Sequence, residues 1–269
     1  MQTIRRTDEA KSFIDGLKKA DDIVVLVGSF ISVYPPTCLF SGTQFVEEVF
    51  TFLFPQDFFD SSSEEQRILE EFFNHVPFEH LLERYPNREK LIRVFKKAYF
   101  IKKFNPLHKL LADLLINGKI KALITPNYDL CLDEALSKCS NRFLRIVTKN
   151  DFDINKNNIP NINIYFKIHG SADDNEGETL VLTLTQESIL PEWKREVLYQ
   201  ILNGRALVIT GYSGKDFEIC PELERMDFKQ IIWNTKNEAL PSKNAERLLT
   251  KRNGIQLIMD MKELLSELF

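Results

Sequence analysis

The chain has 269 residues, of which 43% are apolar and 28% are charged, as is typical of a globular protein with a sizeable core. Its formal net charge of −4 lacks the basic excess of a nucleic-acid-binding protein, and its longest apolar stretches are too short to span a bilayer. No C-x-x-C pair and no secretory segment occur, so we expect no metal site and a reduced, cytoplasmic location.

The first 104 residues predict a helix, a buried strand and then a helical insertion. Apolar residues recur at a helical period between residues 7 and 19, and the β-branched run Ile23–Val27 is typical of a strand covered on both faces. Residues 43–104 are rich in Phe, Glu and Lys, with serines at 61–63 as a helix N-cap signal. We therefore expect a main domain of residues 1–42 and 105–269, interrupted by a helical insertion over residues 43–104.

The remaining chain alternates predicted helices with predicted strands. The helices cover residues 107–115, 192–202 and 244–251, and the strands cover residues 122–124, 162–168, 180–184, 206–210, 231–233 and 255–259. Alternation of this kind predicts an α/β fold, with a Rossmann-like, mostly parallel sheet flanked by helices. Ligands bind such sheets beyond the carboxyl ends of the strands, so functional residues should directly follow the apolar runs.

Glycines and hydrogen-bonding side chains do follow the predicted strands. Each group has a plain alternative as a polar turn, and a lone histidine is either a general base or a hydrogen-bonded structural residue. The candidates are Gly28, Ser29 and Ser32 after the first strand, Thr125, Asn127 and Asp129 after the second, then His169, Gly211, Ser213, Asp216 and Asn234.

The order of these motifs resembles the sirtuin family. Thr125-Pro-Asn-Tyr-Asp129 is similar to the family's Thr-x-Asn-x-Asp motif, His169-Gly170 to its catalytic His-Gly, and residues 211–216 to its later glycine-serine segment. The likeness extends from about residue 23 to the end of the chain. It is closer to the NAD-hydrolysing sirtuin-like domains of prokaryotic defence systems than to protein deacetylases.

Three departures from the family pattern bear on function. Phe30 stands where the family's first turn has a second glycine, and its ring is expected to crowd the pyrophosphate of a dinucleotide. Phe40 is followed by Ser41, where deacetylases have an arginine, and their cysteine-bound zinc module is missing. The last two departures argue against removal of acyl groups from lysine.

The resemblance implies cleavage of the nicotinamide–ribose bond of NAD. It assigns Asn127 to positioning the attacking water or a ribose hydroxyl and His169 to general base catalysis, so we expect His169 to be partly accessible. It assigns binding of the dinucleotide to the other candidate residues. The alternatives are a nucleotide-binding sensor without turnover, an interaction subunit that binds no ligand and, less favoured, a protein deacylase. Defence proteins of this family usually carry a sensor or effector domain, so we expect either that the sequence is one domain of a longer protein or that the partner is a second copy of the chain or a separate sensor or effector protein.

Overall fold

A parallel sheet of eight strands forms the centre of the described part of the protein. The computed structural model describes residues 1–5, 8–18, 23–40, 78–83, 87–137 and 142–268, together with residues 44, 45, 48, 62, 64, 65 and 67. The strands are β1 (Gln2–Arg5), β2 (Ile23–Val27), β3 (Ala122–Thr125), β4 (Phe143–Ile146), β5 (Asn163–Lys167), β6 (Ala206–Thr210), β7 (Gln230–Thr235) and β8 (Ile255–Ile258).

The strand order places the chain's most apolar strand in the middle of the sheet. The order is β1-β8-β7-β6-β2-β3-β5-β4, and every neighbouring pair is parallel. β2 therefore lies between β3 and β6, with Val25 opposite both Leu123 and Val208. This is the point where the order of strands reverses, which is where parallel sheets of this kind bind ligands. The prediction of a mostly parallel, Rossmann-like sheet is confirmed.

Helices cover both faces of this sheet. In the described residues they are α1 (Asp8–Lys18), α2 (Phe78–Glu83), α3 (Arg88–Tyr99), α4 (Pro106–Ile116), α5 (Cys131–Leu136), α6 (Lys149–Asn155), α7 (Leu184–Glu187), α8 (Glu192–Leu202), α9 (Ile219–Leu223), α10 (Lys243–Lys251) and α11 (Met261–Leu268). None of these described helices has the length and apolar character needed to cross a membrane.

The core divides into two layers because side chains alternate along each strand. Val25 and Val27 of β2 pack toward α1, α4 and α11, whereas Val24 and Leu26 pack toward α8, α9 and α10. All five residues of β2 are buried, as expected of a strand with a helical layer on each face.

Helices α2 and α3 of the insertion segment pack against the carboxyl edge of the sheet. Phe95 of α3 and Leu82 of α2 share a third cluster with Tyr128 and with Leu180 and Leu182 of the loop after β5. The N-cap signal in the serine run is present in the described residues, because Ser62 Oγ accepts a hydrogen bond from Glu65 N and Ser62 N donates to Glu65 Oε2. Most of residues 43–77 lie outside the described residues, so the boundaries of the insertion stay a prediction.

Three segments differ from the sequence-based expectation. The strand predicted at residues 180–184 is wrong: Leu180 and Leu182 are buried by the insertion rather than by a sheet, and Thr183 caps helix α7 by accepting from Gln186 N. The strands β1 and β4 were not predicted. Both lie at the edges of the sheet, where a short strand buries little: only Ile4 of β1 and Ile146 of β4 are buried.

Candidate functional site

The turns after β2 and β6 contact each other through their backbones. Gly28 N donates to Thr210 O (3.1 Å) and Phe30 N donates to Gly211 O (3.1 Å). A Cβ atom on Gly28 would lie 2.5 Å from both Gly211 O and Tyr212 Cα, so only glycine allows this approach. The backbones of Gly211 and Tyr212 thus occupy the space beside Gly28, and the structure brings the two candidate residues Gly28 and Gly211 together.

Asn127 is anchored between the turns after β3 and β2. Thr125 Oγ1 donates to Val27 O (2.8 Å) and accepts from Asn127 N (3.1 Å), which fixes the turn after β3 against the end of β2. Asn127 Nδ2 donates to Gly28 O (3.3 Å). The remaining polar atom, Asn127 Oδ1, is buried and has no hydrogen-bond partner among the described residues. It is a free acceptor at the centre of the predicted site.

Ser32 and Asp129 belong to a buried polar network with His108. Ser32 Oγ donates to Asp129 Oδ2 (3.0 Å) and lies 3.1 Å from His108 Nε2, while Asp129 Oδ1 accepts from Cys131 N (3.0 Å). Burial lowers the pKa of His108 to about 4, so its imidazole is neutral near pH 7. The structure brings Ser32 and Asp129 together, but their side chains already bind each other.

The same network contains the ligand types of a metal site. Atoms of His108, Asp129 and Cys131 all lie within 4.8 Å of one another, and all three residues are buried. Nitrogen, carboxylate oxygen and sulfur are ligands for zinc, but a cysteine binds zinc only as the thiolate. Burial raises the pKa of the Cys131 thiol far above its usual range, and the other two side chains are hydrogen-bonded to Ser32. The absence of a metal stays a prediction.

His169 interacts with the carboxyl groups of Glu187, Asp216 and Glu218, and Glu79 interacts with the same three groups. We call these four acidic residues the acidic cluster. The imidazole Nε2 lies 3.0 Å from Glu218 Oε1, an ion-pair distance, although neither atom makes a well-aligned hydrogen bond. His169 is only 4% exposed, so the expectation of partial accessibility is wrong. The imidazole is nevertheless not saturated by backbone partners, and its ring lies 6.2 Å from that of Tyr128, next to Asn127.

The acidic cluster controls the charge of His169. Burial by itself lowers the pKa of the imidazole, but the carboxylates of Glu218, Asp216 and Glu187 outweigh it and raise that pKa above its ordinary value. Burial also raises the pKa of Glu187 to about 9 and that of Glu79 to about 7, and it raises the pKa of Asp216. At neutral pH, therefore, the pair of Glu79 and Glu187 retains a proton.

The other predicted residues are placed less favourably for binding a ligand. Asn234 Oδ1 accepts from Thr210 Oγ1 (2.7 Å), and its Nδ2 donates to the carbonyl oxygens of Leu257 and Met259. Asp216 accepts from Tyr212 Oη. Ser29 and Ser213 are exposed.

The ring of Phe30 stands at the surface of the turn after β2. It is 44% exposed and packs edge-to-face on Tyr34, with ring centroids 5.4 Å apart. The side chain therefore does not fill a gap in the core. That the ring crowds a dinucleotide at this turn stays a prediction.

Sequence reasoning missed the acidic cluster and the buried role of His108. Of the cluster, only Asp216 was predicted as a site residue. Glu218 could have been singled out from the sequence. It directly precedes the apolar pair Ile219-Cys220 at the start of a helix, where the burial of that pair is expected to hold the carboxylate in a fixed position. Glu187 carried no such signal, since it follows the strand predicted at residues 180–184 and lies in none of the predicted elements.

An open parallel α/β sheet with its polar residues gathered at the carboxyl edge, beside the central strand, defines a class of proteins that bind ligands at that edge. Within that class, a family described as the SIR2-like domain matches residues 121–256, just over half of the chain. This protein belongs to the SIR2-like domain family.

Two solved structures resemble the chain in fold. The chain is similar to the structure described as "The Structural basis of Sirtuin Substrate Affinity", with a TM-score of 0.50 and 16% identity over 96% of this chain and 97% of that one. It is also similar to "Structural Basis for the Mechanism and Regulation of Sir2 Enzymes", with a TM-score of 0.46 and 18% identity over 97% and 96% of the two chains. No curated protein matches the sequence significantly.

Proposed function

We propose that this protein binds NAD at the carboxyl edge of the sheet and hydrolyses its nicotinamide–ribose bond. The observation that carries the proposal is the buried Asn127 Oδ1, which has no hydrogen-bond partner among the described residues. A buried acceptor without a partner costs free energy, and a ligand hydroxyl or a water bound at the site would satisfy it. Asn127 also comes from a motif that resembles the family's own.

The chemistry assigns distinct tasks to Asn127 and His169. The C1′–N bond of the substrate breaks, and nicotinamide leaves with the bonding electrons as a neutral molecule. Water forms the new bond to C1′ and gives one proton to the neutral form of the His169 imidazole, whose raised pKa makes it a stronger base. Asn127 Oδ1 holds that water or a ribose hydroxyl. Carboxylates of the acidic cluster favour the positive charge that develops during the reaction.

The fit to a dinucleotide is uneven across the site. Asn127 offers a free acceptor for the ribose side. At the turn after β2, however, the backbones of Gly211 and Tyr212 occupy the space beside Gly28, and the Phe30 ring is exposed there. The pyrophosphate must therefore bind further out than the usual close approach to a glycine turn, which predicts a weak affinity for NAD.

A chromatographic assay of nicotinamide release at high protein concentration tests the proposal. Wild type should release nicotinamide, and Asn127→Ala and His169→Ala should each reduce the rate by about a hundredfold or more. Matched controls are Asn157→Ala and His80→Ala, which remove an exposed asparagine and a half-buried histidine elsewhere and should leave the rate unchanged. The same rate in His169→Ala and in wild type would reject the assignment.

A second candidate is a module that binds NAD or ADP-ribose without turnover. The burial of His169, at 4% exposure, favours it, because a general base must reach the proton that it takes. Calorimetry with NAD and with ADP-ribose, run beside the turnover assay, separates the two. Binding without nicotinamide release would select the second candidate.

The setting of the reaction is a further part of the proposal and comes from the resemblance of motifs. We place the protein in the cytoplasm, in antiviral defence, with a second copy or a separate sensor or effector protein as its partner. Purification from infected and uninfected cells tests this: a partner bound only during infection would support it, and identical composition in both would contradict it.

A further inference from the structure

The side chain of Glu218 is used in an unusual way for its place in the fold. Glu218 is the N-cap residue of α9, yet its side chain does not cap that helix. Instead the carboxylate is buried and points at His169, with Oε1 3.0 Å from Nε2. Neither carboxylate oxygen has a hydrogen-bond partner among the described residues. A buried carboxylate is costly unless a positive charge or a hydrogen-bond donor compensates it, and Nε2 of the adjacent imidazole is placed to do so.

This contact decides which ring nitrogen of His169 can accept a proton from a ligand or water. Glu218 Oε1 lies 3.0 Å from Nε2 and so occupies that side of the imidazole, which leaves Nδ1 as the ring nitrogen available to a ligand at the carboxyl edge. We propose that Glu218 is a positioning residue, which holds the Nε2 edge of His169 and leaves Nδ1 to take the proton from the attacking water. The inference rests on the proposed hydrolysis of NAD, because Glu218 acts through His169 rather than on the substrate.

Other charged groups face the same pair from several elements. Asp216 lies on the loop after β6, Glu187 on α7 and Glu79 on α2, and all three carry carboxyl groups. Lys194 of α8 is also buried; burial lowers its pKa, which Glu218 opposes, and its Nζ donates to Ile168 O. Among them Glu218 is the residue at ion-pair distance from the imidazole.

The decisive measurement is the titration of the His169 side chain in the full chain, followed by nitrogen-edited NMR. The spectrum of His169→Asn assigns the signal among the four histidines. In wild type the proton should reside on Nε2 in the neutral form. Glu218→Gln should lower the pKa of His169 by about one unit or more, since an opposite charge at this distance raises it by that amount. Glu218→Asp should restore part of the shift.

Turnover provides a second readout that a purely structural role would not move in the same way. In Glu218→Gln, kcat should fall about tenfold or more while KM changes less than about twofold. The rise of kcat with pH should move to lower pH, since the base form of His169 then appears at lower pH. Glu222→Gln, on the same helix, loses an exposed ion pair with Arg225 and should behave as wild type.

The outcomes separate the two proposals. An inactive wild type rejects the proposed hydrolysis and leaves the titration to decide whether Glu218 positions His169. An unchanged pKa of His169 in folded Glu218→Gln overturns the inference. If the enzyme is active, a changed pKa of His169 together with an unchanged pH profile of kcat also overturns it. If Glu218→Gln does not fold, wild type is compared with Glu218→Asp instead. An unchanged pKa of His169 and an unchanged pH profile of kcat in that variant would contradict the inference.

Discussion

As the pH rises, Glu187→Gln should gain stability relative to wild type, because wild type loses stability and the variant does not lose this contribution. The side chain is fully buried, and burial together with the neighbouring Glu79 carboxylate raises the pKa of Glu187 from 4.5 to about 9. In the unfolded chain the group ionises near its ordinary value. The folded protein therefore holds one more proton between these two pH values, so its stability is fully present below the ordinary pKa and falls as the pH rises toward 9.

The size of the effect follows from that single proton. One extra proton in the folded state lowers the free energy of unfolding by about 1.4 kcal/mol per pH unit, or about 4 kcal/mol between pH 5 and pH 8. Glu187→Gln keeps the shape of the side chain but cannot ionise. The buried amide adds a cost of its own, which does not depend on pH. The stability of the variant relative to wild type should therefore improve by about 4 kcal/mol across this range.

Urea unfolding of both proteins at pH 5, 6, 7 and 8 measures the difference. Glu178→Gln, which neutralises an exposed carboxylate on the loop after β5, is the matched control and should track wild type at every pH. If the difference in unfolding free energy between Glu187→Gln and wild type is constant across the series, Glu187 does not hold a proton in the folded protein and the reasoning fails.

Three further substitutions test other parts of the structure. Gly170→Ala should cost at least about 2 kcal/mol in thermal unfolding, because φ is +93° and a Cβ would lie 2.2 Å from Thr179 O; a loss below about 1 kcal/mol would contradict this. Asn234→Ala should cost about 2 kcal/mol in urea unfolding by removing three hydrogen bonds, whereas unchanged stability with lost NAD affinity would return Asn234 to a binding role. Phe30→Gly should tighten NAD binding measured by calorimetry, and unchanged affinity and turnover would show that the ring is no obstruction.

The central strands were predictable because burial on both faces leaves a distinctive pattern. Ile23–Val27 reads as five successive apolar residues, and all five are buried between two helical layers. The edge strands were not predictable, since β1 buries one side chain of four and its sequence is otherwise polar. The run at residues 180–182 was wrongly predicted as a strand because it is apolar and buried without being part of the sheet. Phe95 and Leu82, which are distant in sequence, bury it.

For the candidate site, residues after each strand were predictable but their partners were not. The motif pattern predicted Asn127 and His169 as site residues, whereas the ion pair of His169 with Glu218 depends on which side of the imidazole faces α9. Similarly, Asn234 was predicted to bind a ligand, and only the structure shows that its side-chain amide is hydrogen-bonded to Thr210 and to the end of β8. Such contacts join residues from different strands and leave no local signal in the sequence.

The order of strands also constrains how the chain acquires its structure during synthesis. The central strand β2 pairs with β6, where Ile23 lies opposite Ala206, and β1 pairs with β8, where Gln2 lies opposite Ile255. Contacts between residues so far apart in sequence slow folding, and both strands leave the ribosome long before their partners. The apolar β2 must therefore wait with one edge unpaired until nearly four-fifths of the 269 residues have been made. Nascent chains that stall before β6 should consequently be prone to aggregation and depend on chaperones.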